Sequence, residues 1–347
     1  MIDNPAPLDL DHVLHPAWLT AALSQRYPGV HITSVDRGPV ISRVSTNARF
    51  RIHGELPDGL TPDLCVKGYF NEIGQQYAFL GAIESAFYRD LAPTAGVRTL
   101  KAVYADVDPA TQHGVVITED VVAQGAQFLD ALSDYSPNHV AQSLSQLAKL
   151  HASTWRRDEL LDARWLDSRA AGYTMTRGVA EITSNFTTAI GAGVPAAVRD
   201  PQRVFDGFNS VIAQHSNAPE WCVIHGDAHL GNWMLDGQGR PSLLDWQLVM
   251  RGPWYLDVGY HLASALPIEQ RRQHEGDLLR HYLNELTAGG VPPIDEQTAW
   301  AGARVGMLYG FYLWAITLKV DPAITTELNT RLGTAVADHN VLQEVLG

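Results

Sequence analysis

The sequence predicts an α+β chain of two lobes, a small β-rich lobe followed by a larger, mainly helical one. Three observations predict it. The chain has 347 residues, which is long for one compact domain. Before about residue 120 the apolar residues fall in short alternating runs, the period of half-buried strands; after it they recur at helical spacing. Hydrophobic residues make up 46% and charged residues 18%, the balance of a globular rather than a disordered protein. The division expected is 1–119 for the first lobe with its preceding helix and 120–347 for the second.

Each element has a local reason. Pro16 opens a short helix through Leu23, proline being allowed in a first turn, and Tyr27-Pro28-Gly29 ends that segment. Two strands follow, about Ile32–Arg37 and Asn47–Ile52, with Gly38–Thr46 as the loop between them. Asp63–Tyr69 reads as a strand carrying Lys67, and Tyr77–Leu91 as an amphipathic helix carrying Glu84. Lys101–Asp106 and Gly114–Thr118 read as strands. The helix His139–Trp155 shows Leu144, Leu147 and Leu150 at a spacing of three. Val305–Leu318 is apolar but only 14 residues long, short of the ~20 a membrane span needs, and reads as a buried helix.

Charge and cysteine content narrow the partners. A net charge of −13 argues against an extended nucleic-acid surface. Two cysteines, Cys65 and Cys222, do not make a disulfide framework. The acidic start lacks the apolar segment of a signal peptide, so a cytoplasmic protein is expected. Oligomeric state is not legible.

The most informative stretch is His225-Gly226-Asp227-Ala228-His229-Leu230-Gly231-Asn232, followed by Asp245 in Leu243-Leu244-Asp245-Trp246. Asp227 and Asn232 are five positions apart, so a tight loop turns both toward one point. Trp233–Leu235, the turn Asp236-Gly237-Gln238-Gly239 and Ser242–Leu244 form a β-hairpin pattern that returns Asp245 beside Asn232. One carboxylate can then accept the proton of an attacking hydroxyl, while Asn232 and Asp245 hold Mg²⁺ on nucleotide phosphates.

With these residues the chain resembles the aminoglycoside phosphotransferase and choline kinase family, small-molecule kinases of bilobal protein-kinase-like fold that use ATP. The resemblance is specific over residues 221–262 and weaker over 35–155. It implies Asp227 as catalytic base, with Asn232 and Asp245 as metal ligands. It implies Lys67 on the nucleotide phosphates, paired with Glu84, and Cys65, on the same strand face as Lys67, above the base. Glu119 and Val121 fall where a hinge would read the base through backbone C=O and N–H. Ser42 and Ser45, with Thr46, lie in the expected phosphate loop, which lacks the G-x-G-x-x-G pattern of protein kinases. Asp257 matches a residue that caps the catalytic loop, and His225 is expected to brace it.

The function expected is transfer of a phosphoryl group from ATP or GTP to a small-molecule alcohol. Aminoglycosides are polycations, yet Ala301–Val320, where this family builds its acceptor pocket, holds no Asp or Glu. A non-cationic acceptor is therefore favoured: a hydroxy acid derivative, a lipid-like alcohol or a sterol-like compound. Trp300, Tyr309, Tyr312 and Trp314 fall in this region, as core or as pocket wall. Two alternatives stand beside this reading. One is a metal-dependent hydrolase with a His225/Asp227/His229 cluster joined by Asp245, Asp257 and His261; the other is an inactive nucleotide-binding module.

Overall fold

Alternation along one strand organises the first lobe. In Asp63–Gly68, Leu64 and Val66 are fully buried on one face, while Cys65 and Lys67 are half-buried on the other. The computed structural model describes residues 2–215 and 218–347. It shows a bilobal, protein-kinase-like α+β fold. The first lobe holds an antiparallel sheet of β1 (His31–Ser42), β2 (Thr46–Glu55), β3 (Asp63–Gly68), β4 (Ala102–Val107) and β5 (Gly114–Glu119), in the order β1-β2-β3-β5-β4. Leu64 and Val66 join Phe50, Ile52, Val115 and Ile117 in a core covered by Trp18 and Leu19 of the Pro16–Leu23 helix. The opposite face, with Cys65 and Lys67, looks into the cleft between the lobes.

Two local readings change. The stretch Gly38–Thr46 is not a long loop: β1 runs through to Ser42 and the turn is only Arg43–Ser45. Gly38 and Pro39 look like strand breakers, but β1 is an edge strand, where a missing N–H is tolerated, and the register slips between Arg37 and Val40 to absorb them. The helix expected over Tyr77–Leu91 is α-helical over Ala78–Ala86 and closes in a π turn, Phe87–Leu91.

The second lobe is mainly helical. Short strands carry the loops of interest: β6 (Gln127–Phe128), β7 (Trp221–Ile224), β8 (Trp233–Leu235), β9 (Pro241–Leu243) and β10 (Met250–Pro253). β7 pairs with β10, and β8 pairs with both β6 and β9. Helices Pro137–Thr154, Tyr255–Ala265, Ile268–Ala288, Glu296–Ala315 and Pro322–Asp338 enclose the larger core. The buried helix expected over Val305–Leu318 lies within Glu296–Ala315 but stops at Ala315, and Leu318 beyond it is exposed. No helix among the described residues is long and apolar enough to cross a membrane.

Candidate active site

The loop that carries Asp227 is built by its backbone needs. β7 ends at Ile224, and Gly226 turns the chain at φ +80°, where a side chain would also meet the Leu248 carbonyl. The amide N–H groups of His225 and Gly226 donate to the two oxygens of Asp257 at 2.6 and 2.9 Å. Asp257 is fully buried and also faces His151 Nε2 at 3.2 Å. His225 takes the Asp227 N–H on Nδ1 at 3.2 Å, so its Nε2–H donates to the Leu244 carbonyl at 2.7 Å. His225 thus ties the Asp227 loop to the strand end that presents Asp245.

One helix face supplies the remaining supports. Asp257, Tyr260 and His261 stand at i, i+3 and i+4 on Tyr255–Ala265. The Tyr260 hydroxyl donates to Asp227 Oδ1 at 3.1 Å, and His261 Nδ1 donates to the Ala228 carbonyl at 2.8 Å. Burial pulls the His261 pKa down to about 4, so the ring is neutral. Tyr309 adds a hydrogen bond to the Gly226 carbonyl at 2.8 Å. Tyr260 and His151 were not singled out from sequence as parts of the site, and Tyr309 was expected only as core or acceptor-pocket wall. The Asp257-x-x-Tyr260-His261 spacing was the available signal for Tyr260.

Asn232 Nδ2 donates to the Asp227 carbonyl at 2.7 Å and to Asp227 Oδ2 at 3.1 Å. Its Oδ1 accepts no hydrogen bond from the described residues and remains free for a cation. The β8–β9 hairpin forms as expected, and the Leu244 N–H donates to the Asn232 carbonyl at 2.8 Å, which brings Asp245 next to Asn232. Asp245 adopts φ 60°, ψ 69°, a left-handed conformation uncommon outside glycine and of the kind found at functional sites. An amide oxygen and a carboxylate are hard donors suited to a magnesium ion whose other ligands are water and phosphate.

Lys67 joins the lobes. Its Nζ lies 2.7 Å from Glu84 Oε2 and 2.8 Å from Asp245 Oδ1. Burial alone would pull the Lys67 pKa down; Asp245 and Glu84 outweigh it and hold the ammonium well above its ordinary value. Glu84 is nearly fully buried, and burial raises its pKa against the pull of Lys67. The other Glu84 oxygen accepts the Trp246 N–H at 3.3 Å, and one turn on Phe87 stacks on the Trp246 ring at 3.7 Å. This pair of contacts seats the Glu84 helix on the Asp245 strand end.

The remaining expected nucleotide residues fall around the same cleft with differing freedom. Cys65 shares the Lys67 face, and burial, then Asp120, push its thiol up to about 12. Across from it on β2, Arg49 pairs with Asp120 at 2.7 Å. The Val121 N–H makes no hydrogen bond among the described residues. The Glu119 side chain points to the opposite face and pairs with Lys101 at 2.5 Å. Ser42 Oγ is not free: it lies 3.0 Å from Thr46 Oγ1 and accepts from Asn71 Nδ2 at 2.9 Å. Asn71, unforeseen from sequence, also holds the Arg43 carbonyl at 3.0 Å and so anchors the turn that includes Ser45.

Asp227 itself is only partly exposed. Burial raises its pKa, but His229, His225 and Tyr260 more than offset this and leave the carboxylate below its ordinary value. The ring of Trp314 meets His229 edge-on at 5.0 Å. Tyr173 lies near enough for the Asp227 charge to act on it, and its hydroxyl faces that of Tyr309. Of the four aromatics expected near the acceptor, Trp314 alone meets a residue of the 225–232 loop by its ring. Tyr309 and Tyr312 are core, and Trp300 stacks on His339. The hydrolase cluster does not form: His225 and His261 are committed to backbone carbonyls, and no group of three His, Cys, Asp or Glu able to hold a metal occurs among the described residues.

Comparison with known proteins agrees with this geometry. Among solved structures, a choline kinase from Cryptosporidium parvum Iowa II is 10% identical with a TM-score of 0.56, over 96% of this chain and 98% of that one. A choline/ethanolamine kinase family protein from Mesorhizobium loti is 18% identical with a TM-score of 0.50, over 95% and 98%. The GDP complex of wild-type aminoglycoside 2'-phosphotransferase-IIIa is 14% identical with a TM-score of 0.50, over 96% of each chain. At these identities the likeness is one of fold. No curated protein matches the chain. The model of the ecdysteroid kinase-like family matches residues 71–289, well over half the chain and all of the loop from His225 to Asp245, and the chain belongs to that family.

Proposed function

We propose that the protein transfers the γ-phosphoryl group of ATP to a hydroxyl of a neutral, largely apolar small molecule, of which a sterol-like alcohol is the type. The observation that carries this reading is the meeting of Lys67, Glu84 and Asp245 in the cleft beside the Asp227–Asn232 pair. Lys67 exchanges Asp245 for the nucleotide's α- and β-phosphates. Asn232 Oδ1 and Asp245 would hold Mg²⁺, which when bound would neutralise phosphate charge. The acceptor oxygen bonds to the γ-phosphorus as the bridging P–O bond to the β-phosphate breaks, and the hydroxyl proton passes to Asp227. A carboxylate held below its ordinary pKa is a weak base, so Asp227 acts chiefly by orienting the hydroxyl, in keeping with a loose transition state.

The acceptor class rests on what surrounds Asp227. The aromatic residues Tyr173, Tyr260, His229 and Trp314 cluster around Asp227, and residues 301–320 offer no carboxylate to a polycation. The family's description as ecdysteroid kinase-like supports the same class. An ADP-release panel with sterols, lipid-like alcohols, hydroxy acids, choline and kanamycin-like aminoglycosides tests it. Turnover is expected on neutral alcohols. Efficient use of aminoglycosides, with kcat/KM above ~10⁴ M⁻¹s⁻¹, would contradict it.

A further inference from the structure

His229 has one nitrogen committed to the backbone and one that faces Asp227. Its Nδ1 accepts the Gly231 N–H at 3.0 Å, capping the turn Leu230–Asn232. In the neutral ring the proton then sits on Nε2. That Nε2 lies 3.6 Å from Asp227 Oδ2, beyond a hydrogen bond, and Oδ2 already receives the Asn232 amide at 3.1 Å. The rings of Trp314 and Tyr260 lie 5.0 and 6.0 Å from it. Glycine at 231 is part of the arrangement, because a Cβ there would stand 2.8 Å from His229 Cε1 and 3.0 Å from Nδ1. The result is an oriented N–H donor at the rim of the candidate base, which it faces at 3.6 Å.

We infer that His229 is a second catalytic residue of the phosphoryl transfer proposed above, and this rests on that reading. Its Nε2–H donates a hydrogen bond to an oxygen of the γ-phosphoryl group as the acceptor oxygen bonds to phosphorus. No proton leaves the ring: the acceptor's proton goes to Asp227 and the electron pair of the broken P–O bond goes to the β-phosphate. A donor fixed in advance on the charge spread over the equatorial oxygens contributes where solvent would have to reorganise, and losing one such donor costs ~10²–10³ in kcat.

The rival role is a turn cap alone, and one substitution separates the two. His229→Asn keeps a side-chain acceptor for the Gly231 N–H, asparagine being among the best capping residues, but places nothing at the Nε2 position. The experiment measures kcat and KM for ATP by ADP release, with the best acceptor of the panel, for wild type, His229→Asn and His229→Gln. The catalytic role predicts a fall in kcat of ~10²–10³ for His229→Asn. The KM for ATP should hold, and kcat should recover in part with His229→Gln, whose amide N–H reaches toward the Nε2 position. Gly231→Ala, which crowds the ring without removing it, should lower kcat in the same direction. A near wild-type kcat for His229→Asn would overturn the proposal. A wild-type chain that turns over no acceptor would instead sink the phosphotransferase reading, and this one with it.

Discussion

Lys67 and Asp245 are 178 positions apart in sequence and meet at 2.8 Å across the cleft. The lysine holds the carboxylate that the proposed reaction assigns to magnesium, while Glu84 holds the lysine from the other side. Nucleotide binding, on this account, trades one charge partner for another. Lys67 would then be free to pair with a phosphate and Asp245 to hold the cation.

Magnesium dependence should follow. Asn232→Ala and Asp245→Ala each remove an oxygen donor for a hard cation. Both variants are expected to need more Mg²⁺ for half-maximal turnover, or to lose rescue by Mg²⁺ altogether. Titrations of both that superimpose on wild type would contradict the assignment.

Asp257 tests the support of the loop. Its two oxygens take the His225 and Gly226 N–H groups in a fully buried position. Asp257→Asn turns an amide N–H toward one of those donors and leaves it unpaired. Leaving a buried donor unsatisfied costs ~1–3 kcal/mol. A lower midpoint of thermal unfolding with reduced kcat is expected; unchanged stability would show that the loop does not depend on this carboxylate.

His261 gives a pH dependence. Its pKa is 6.5 in the ordinary state and about 4 when folded, because burial disfavours the charged ring. Between these values the unfolded chain binds the proton and the folded chain does not. The contribution to stability is therefore complete above about pH 6.5 and falls as pH drops toward 4, by roughly 2–3 kcal/mol. Urea unfolding of wild type and His261→Asn across this range should show a shallower pH slope in the variant. Equal slopes would refute it.

How much of this was legible in the sequence depended on distance along the chain. Asp227, Asn232 and Asp245 sit within one loop and one hairpin, so their spacing alone predicts their meeting. Lys67 and Glu84 were legible through the family resemblance, which pairs a strand lysine with an acid on the following helix. Asn71, Tyr260 and His151 were not singled out as site residues, because their partners lie far off in sequence and single polar residues carry no period. β1 was read too short because Gly38-Pro39 signals a break, a signal the solvent-facing edge of the sheet overrides. The aromatic residues of Glu296–Ala315 divide between core and site by their angle around the helix, which only the packing of neighbouring helices decides.

The most direct test of the central claim is Asp227→Ala, assayed for phosphoryl transfer from ATP to a neutral alcohol and, separately, for MgATP binding by calorimetry. The account predicts that turnover falls by ~10²–10⁴ while ATP still binds. A kcat close to wild type would contradict the assignment of Asp227, and with it the mechanism built around that residue.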